Sequence, residues 1–208
     1  SKTCCATTSP RWSRCGQLQP KPTVLAFDTS AAHCAAALLL GDRVLTRVDE
    51  MAKGQAEHLM PMLEQMLADE NLTWADLDGI GVGTGPGNFT GIRIAVSAAR
   101  GLALGLGKPA IGVNGFDARA FGEALPFTAT IPAPRDHSYV QEYRADGVSE
   151  PVQIDEPAEQ QKPAADLIAA VARIAASRLN DAVERPTPLY VRNADAAPPR
   201  DPAPILLP

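Results

Sequence analysis

Three groups of residues have the types that chemistry needs. Asp28, Thr29 and Ser30 end the apolar run VLAF, and a carboxylate followed by two hydroxyls at a strand end suits a magnesium-bound phosphate. Gly85-Pro86-Gly87 precedes a long apolar stretch, and glycine-rich turns that open helices favour anions through their amides. Asp28, Thr29, Gly85 and Gly87 are therefore the candidate nucleotide-binding positions; a tight strand-to-helix connection is the structural alternative. The turn does not fit GxGxxG. GLALGLGKP departs from the Walker pattern in spacing and in having Pro109 where Ser or Thr should stand.

The remaining reactive types do not assemble. His33, His58 and His137 show neither HExxH nor HxxxH spacing, which argues against a metallopeptidase. No GxSxG is present. Cys34 lies inside an apolar strand pattern and reads as a buried small hydrophobe rather than a nucleophile. One carboxylate is a poor metal site, and no second acidic cluster is placed to join Asp28. The expectation is no catalytic residue and no metal.

The elements that position these residues can be read in order. VLAFDTS, CAAALLL and RVLTRVDE are three strands, the last two joined by a turn at Gly41-Asp42. In GQAEHLMPMLEQMLADENL, Leu59, Met62, Leu63, Met66 and Leu67 fall at helical spacing, and Pro61 is expected in the first turn. Thr73 to Asp76 has the pattern of a capping box opening a short helix. Ile80 to Val82 is a strand, and Asn88 or Thr90 caps the apolar helix beyond the glycine turn. PAIGV is a further strand. The series β-β-β-α-β-α-β predicts a mixed sheet with helices packed on it.

Beyond Phe116 the pattern weakens. DARAFGEAL reads as a helix, FTATIPAP as a strand, and HSYVQEYRADGVSEPVQI as a hairpin turning at Asp146-Gly147. PAADLIAAVARIAASRLNDA is an amphipathic helix with Leu167, Ile168, Val171, Ile174 and Ala175 on one face. The last stretch is rich in proline and reads as extended. The expected organisation is a flexible extension over 1–22, a first lobe over 23–117 and a second, smaller lobe over 118–208.

The helix after the glycine turn is unusual. Arg93, Ser97 and Arg100 form one narrow polar stripe, and the rest of its surface is apolar or small. A helix on a one-sided core needs only about a 100° apolar stripe, so this one predicts cover on two sides, one its own sheet and the other either more of this chain or another protein. The 208 residues carry a net charge of -5, with 45% hydrophobic and 21% charged residues; that charge argues against an extended cationic surface for nucleic acid. No run reaches about 18 uninterrupted apolar residues, and the N-terminal residues show no secretory pattern. With no paired CxxC motifs, the expectation is a cytoplasmic protein without zinc or a disulfide framework.

FDTS, the EHL-MPML helix, GTGPGNFTGIR, GLALGLGKP and PLYVR together resemble the TsaB (YeaZ) family of tRNA threonylcarbamoyladenosine biosynthesis. The match runs from about Val24 to Asp117, with GPGNFTGIR its most specific part, and returns at Pro188 to Arg192. The resemblance implies an α/β, two-lobed fold of the actin-like ATPase and ribonuclease-H-like type, its mixed sheets flanked by helices and its second lobe abbreviated. It implies a non-catalytic partner of the paralogue TsaD, in a complex with the ATPase TsaE that contacts tRNA only indirectly. It also implies self-association in isolation and no membrane. No cofactor is expected on this chain alone; ATP or ADP with magnesium at the junction with the partner is the cofactor the resemblance leaves open. With the two-sided helix it makes His58, Leu59, Met62, Met66, Ile92, Arg93, Val96 and Arg100 the candidate partner-binding positions, Arg93 first among them. A weak nucleotide-binding protein and a homodimeric scaffold of unrelated role are the alternatives.

Overall fold

The computed structural model describes residues 21–158, 161–181 and 184–191. The predicted extension over 1–22 lies almost wholly outside them.

Strands β1 (Thr23–Asp28), β2 (His33–Leu40) and β3 (Arg43–Glu50) form an antiparallel meander. Strand β4 (Gly79–Gly83) joins β1 in parallel and β5 (Ala110–Val113) joins β4 in parallel, giving the order β3-β2-β1-β4-β5. The parallel pairs need crossovers. These are α1 (Gln55–Asp69), followed by a 3-10 turn at Trp74–Asp76, and α2 (Phe89–Leu106).

Strand β1 shows how the sheet divides two cores. Leu25 and Phe27 face α1 and α2, with Leu38, Leu63, Ile80 and Ile92. Val24 and Ala26 face the other way, onto Ile168, Val171 and Ala175 of α4 (Ala164–Ser177). Both faces are apolar because both are covered, as expected of a strand buried in the middle of a layered α/β fold.

A smaller sheet follows α3 (Gly115–Ala120). It consists of β6 (Phe127–Ala133), β7 (His137–Arg144), β8 (Gly147–Val148) and β9 (Val152–Ile154), with β6, β8 and β9 all paired to β7. Phe116, Ala129 and Ile131 form its small core. Asp117 ties it to the larger sheet: Tyr143 Oη donates to Oδ1 at 2.8 Å and an Arg178 terminal nitrogen, just past α4, donates to Oδ2 at 3.0 Å.

Three details differ from the sequence reading. Pro61 stands in the interior of α1 rather than its first turn, because the helix already begins at Gln55; Pro61 is exposed, so the carbonyl left without a partner four residues back can face water. The capping box between Thr73 and Asp76 is present but opens only a 3-10 turn. Helix α4, placed by sequence in the range 118–208, packs on β1, β2 and β4 of the first sheet. Its apolar face is too large for the three-residue core of the small sheet, whereas the large sheet has a whole face to cover.

The turn from β4 into α2 is pressed against the end of β1. Asn88 caps α2, its side chain accepting from Gly91 N at 2.9 Å. Thr29 Oγ1 donates to Gly91 O at 2.6 Å, and Asn88 N to Ser30 O at 2.6 Å. A side chain at Gly91 would overlap the carbonyl oxygen of Thr29, and one at Gly87 that of Ser30. Backbone cannot retreat as a flexible side chain can. By contrast, nothing lies within 4 Å of where a side chain would begin at Gly101. Gly91→Ala is therefore expected to lower unfolding free energy by at least about 2 kcal/mol. Gly101→Ala is expected to raise it by up to about 1 kcal/mol through helix propensity. Urea denaturation of the two variants checks both signs.

Candidate functional site

The first candidate lies at the C-terminal end of β1. Asp28 Oδ1 accepts from Ser30 N at 2.5 Å and Oδ2 from Ser30 Oγ at 3.1 Å, a turn that holds the carboxylate in place. Asp28 and Gly87 line a cavity of about 290 Å3, together with Ser30, His33, Arg119 and Lys162. Thr29 is fully buried, its hydroxyl bound to Gly91. Gly85 has φ of 91° and faces Ile92 Cδ1, not the cavity. The four predicted nucleotide positions are thus neighbours, but only two of them reach open space.

Asp28 is the one carboxylate on this cavity wall, which makes it a poor site for a magnesium nucleotide. The backbone amides of Ser30, Thr84, Asn88, Gly91 and Gly115 already donate to protein acceptors. No group of three His, Cys, Asp or Glu side chains able to hold a metal occurs among the described residues.

Arg119 is the cavity residue that sequence reasoning missed. Its terminal nitrogens donate to Gly115 O and Gln161 Oε1, both at 3.0 Å, while its Nε is enclosed without an acceptor. Burial pulls the guanidinium pKa down and the charge of Asp28 pulls it back up. Lys162 pairs with Glu123 and donates to Arg119 O at 2.7 Å. No spacing in DARAFGEAL marks Arg119; it shares a cavity wall with Asp28 only once β5 and α3 are in place. Cys34 is buried, and its thiol is pushed up to about 11, first by burial and then by Asp49 and Asp28, as an unreactive core residue should be.

The second candidate is the pair of helices α1 and α2. Leu59, Met62 and Met66 of α1, and Ile92 and Val96 of α2, are all at most 7% exposed and belong to the core between these helices and the sheet. They therefore cannot be partner contacts as predicted: the helical spacing was right, but the apolar face it found is the one turned to the sheet. The outside of α1 is polar, with Glu57, Pro61, Glu64, Gln65 and Asp69 exposed. His58 is half-exposed and its Nε2 lies 2.7 Å from Asp49 Oδ2, a contact that holds the Asp49 carboxyl below its usual range.

Only α2 keeps apolar surface on its outer side. Thr90, Arg93, Ser97, Gly101 and Leu104 are exposed at helical spacing, Leu104 at 86% and the adjoining Phe89 at 38%. By length and composition α2 could cross a membrane, with two arginines interrupting its apolar residues, but its inner face is part of the core. The segment 184–191 crosses the outer side. Arg100 Nε donates to Pro186 O at 2.8 Å, Leu189 N donates to Thr84 O at 2.8 Å, and Arg93 Nε donates to Tyr190 Oη at 3.2 Å. The Arg93 guanidinium also lies 3.7 Å over the Phe89 ring, whose centroid is 5.0 Å from that of Tyr190. Arg93 and Arg100 sit on the outer face, already held by their own chain.

An antiparallel meander continued beyond its first strand by two parallel strands, with a second small sheet beside it, defines the ribonuclease-H-like class to which the actin-like ATPases belong. The family model for TsaD, tRNA N6-adenosine threonylcarbamoyltransferase, matches residues 49–181. The tRNA threonylcarbamoyladenosine biosynthesis protein TsaB of Haemophilus influenzae is 37% identical over 100 residues, which are 47% of this chain and 42% of that protein. TsaB of Escherichia coli is 32% identical over 128 residues, 59% of this chain and 55% of that protein. The structure of YeaZ from Pseudomonas aeruginosa superposes with a TM-score of 0.64 at 26% identity, over 81% of this chain and 99% of that one. The chain belongs to the TsaB (YeaZ) family. It spans about half the length of the curated relatives it matches.

The strap over α2 is the feature most open to a direct check. Removing the Arg100 side chain in Arg100→Ala is expected to speed amide hydrogen exchange at Leu189 by about tenfold, the size of one charge-assisted hydrogen bond. Exchange in β1 and β4 is expected to stay unchanged.

Proposed function

We propose that this chain is a non-catalytic subunit in threonylcarbamoyl modification of the tRNA adenosine next to the anticodon. It acts by pairing with a TsaD-like catalytic paralogue through the outer face of α2. The names of its relatives support the pathway, and the family model supports kinship with the paralogue. The observation that carries the surface assignment is the uncovered stripe on α2. Leu104 stands 86% exposed beside Gly101 and Gly105, neither of which has a neighbour within 4 Å of its would-be side chain.

The physical reason is close approach. Packed helices sit about 8–10 Å apart, and Ser97, Gly101 and Gly105 leave room for a facing helix at the short end of that range. Leu104 fills a groove of the partner, and the cluster of Phe89, Arg93 and Tyr190 forms an anchor at the other end of the stripe. In isolation the same stripe serves a second copy of the chain. A TsaE-like ATPase joins the complex, tRNA is held chiefly by the partner because this chain carries a net charge of -5, and any nucleotide at the junction depends on partner residues.

Gly101→Arg separates assembly from folding, because a Cβ at this exposed position meets no atom of its own chain within 4 Å. The variant is expected to keep or raise its thermal midpoint and to lose co-purification with the TsaD-like protein. A variant that folds and still recovers that partner at the wild-type level overturns the assignment of the surface.

A further inference from the structure

The cavity at the end of β1 holds two opposite charges that feel each other's field but are joined by no ion pair among the described residues. Asp28 accepts only from the amide and hydroxyl of Ser30, and no cation forms an ion pair with it among the described residues. Arg119 donates only to neutral oxygens, those of Gly115 and Gln161, although a guanidinium has five N–H groups. Lys162, the other cation on the wall, is matched by Glu123. A half-buried charge facing a dry wall is costly unless something pairs with it.

The space between them restricts what can do so. About 290 Å3 is far more than the one or two waters needed to screen an isolated charge. Away from the charges the wall is apolar, formed by Val113, Ile131, Leu167 and Val171. A polyanion is disfavoured by the carboxylate of Asp28, the one acidic side chain on the cavity wall. A simple cation is disfavoured by Arg119, and a simple carboxylate by Asp28.

We propose that this cavity is a binding site for a small zwitterion of the α-amino-acid class. The ligand carboxylate takes the remaining N–H groups of the Arg119 terminal nitrogens, its ammonium faces Asp28, and a short apolar side chain lies against Ile131, Leu167 and Val171. Two charge-assisted contacts and a small apolar group give a weak ligand, with a Kd on the order of 1 mM. The site is separate from the outer face of α2, so it stands or falls independently of the assembly reading.

The test is a titration of the full chain, followed by NMR, with L-alanine, L-valine and L-leucine as probes. N-acetyl-L-valine, which lacks the ammonium, and L-valinamide, which lacks the carboxylate, are the controls. Saturable binding of at least one free amino acid is expected, with both blocked forms at least tenfold weaker. Asp28→Asn is expected to weaken L-valine while sparing N-acetyl-L-valine, and Arg119→Gln to weaken L-valine while sparing L-valinamide. If either variant fails to fold, the comparison of free with blocked ligands on the wild-type chain decides alone. No saturable binding of any of the three amino acids, or equal binding of the blocked forms, overturns the proposal. So does tighter binding of magnesium ATP at the same resonances, which would restore the nucleotide reading.

Discussion

The first turn of α2 rests directly on the last residues of β1, and the rest of the structure depends on that contact. The hydroxyl of Thr29 binds the carbonyl of Gly91, and the amide of Asn88 binds the carbonyl of Ser30. Backbone meets backbone, so the approach is possible only where no side chain intervenes. The contact fixes the angle at which α2 leaves the sheet. That angle decides which side of the helix is buried, and it places the carboxylate of Asp28 at the mouth of the cavity rather than in the core.

Much of this order was legible in the sequence because each local signal agreed with the fold. The strand meander, the glycine turn, the cap at Asn88 and the apolar face of α4 all follow from short-range pattern. The site was less legible, for a physical reason. Periodicity in α1 and α2 locates an apolar face but does not say whether a sheet or a neighbour covers it. Leu59, Met62, Met66, Ile92 and Val96 share that pattern with true interface residues, and they lie in the core. Arg93 and Arg100 form a polar stripe in the sequence, yet their partners Tyr190 and Pro186 are about 90 residues away along the chain. Arg119 faces Asp28 only through the folded path of β5 and α3, which no local window contains.

The arrangement of charge divides the molecule in two. On the outside of α2, the cations are tied to a carbonyl, a phenol and an aromatic ring, so they are oriented without being neutralised. In the cavity, Asp28 and Arg119 are held by neutral groups, likewise oriented and not neutralised. Elsewhere the ionic side chains form ordinary pairs at the surface, such as Arg43 with Glu70 and Lys21 with Asp42, which contribute little to stability. Asp117 is the exception, serving Tyr143 and Arg178 together across the two sheets.

The empty surroundings of Gly101 and Gly105 bear on how related chains should vary. Folding does not require a glycine at either position, since a Cβ there meets no atom within 4 Å. Were relatives to keep only small residues there, the restriction would have to originate outside the polypeptide. At Gly91 the same restriction is internal, set by Thr29, and would persist in a chain that had lost every binding partner.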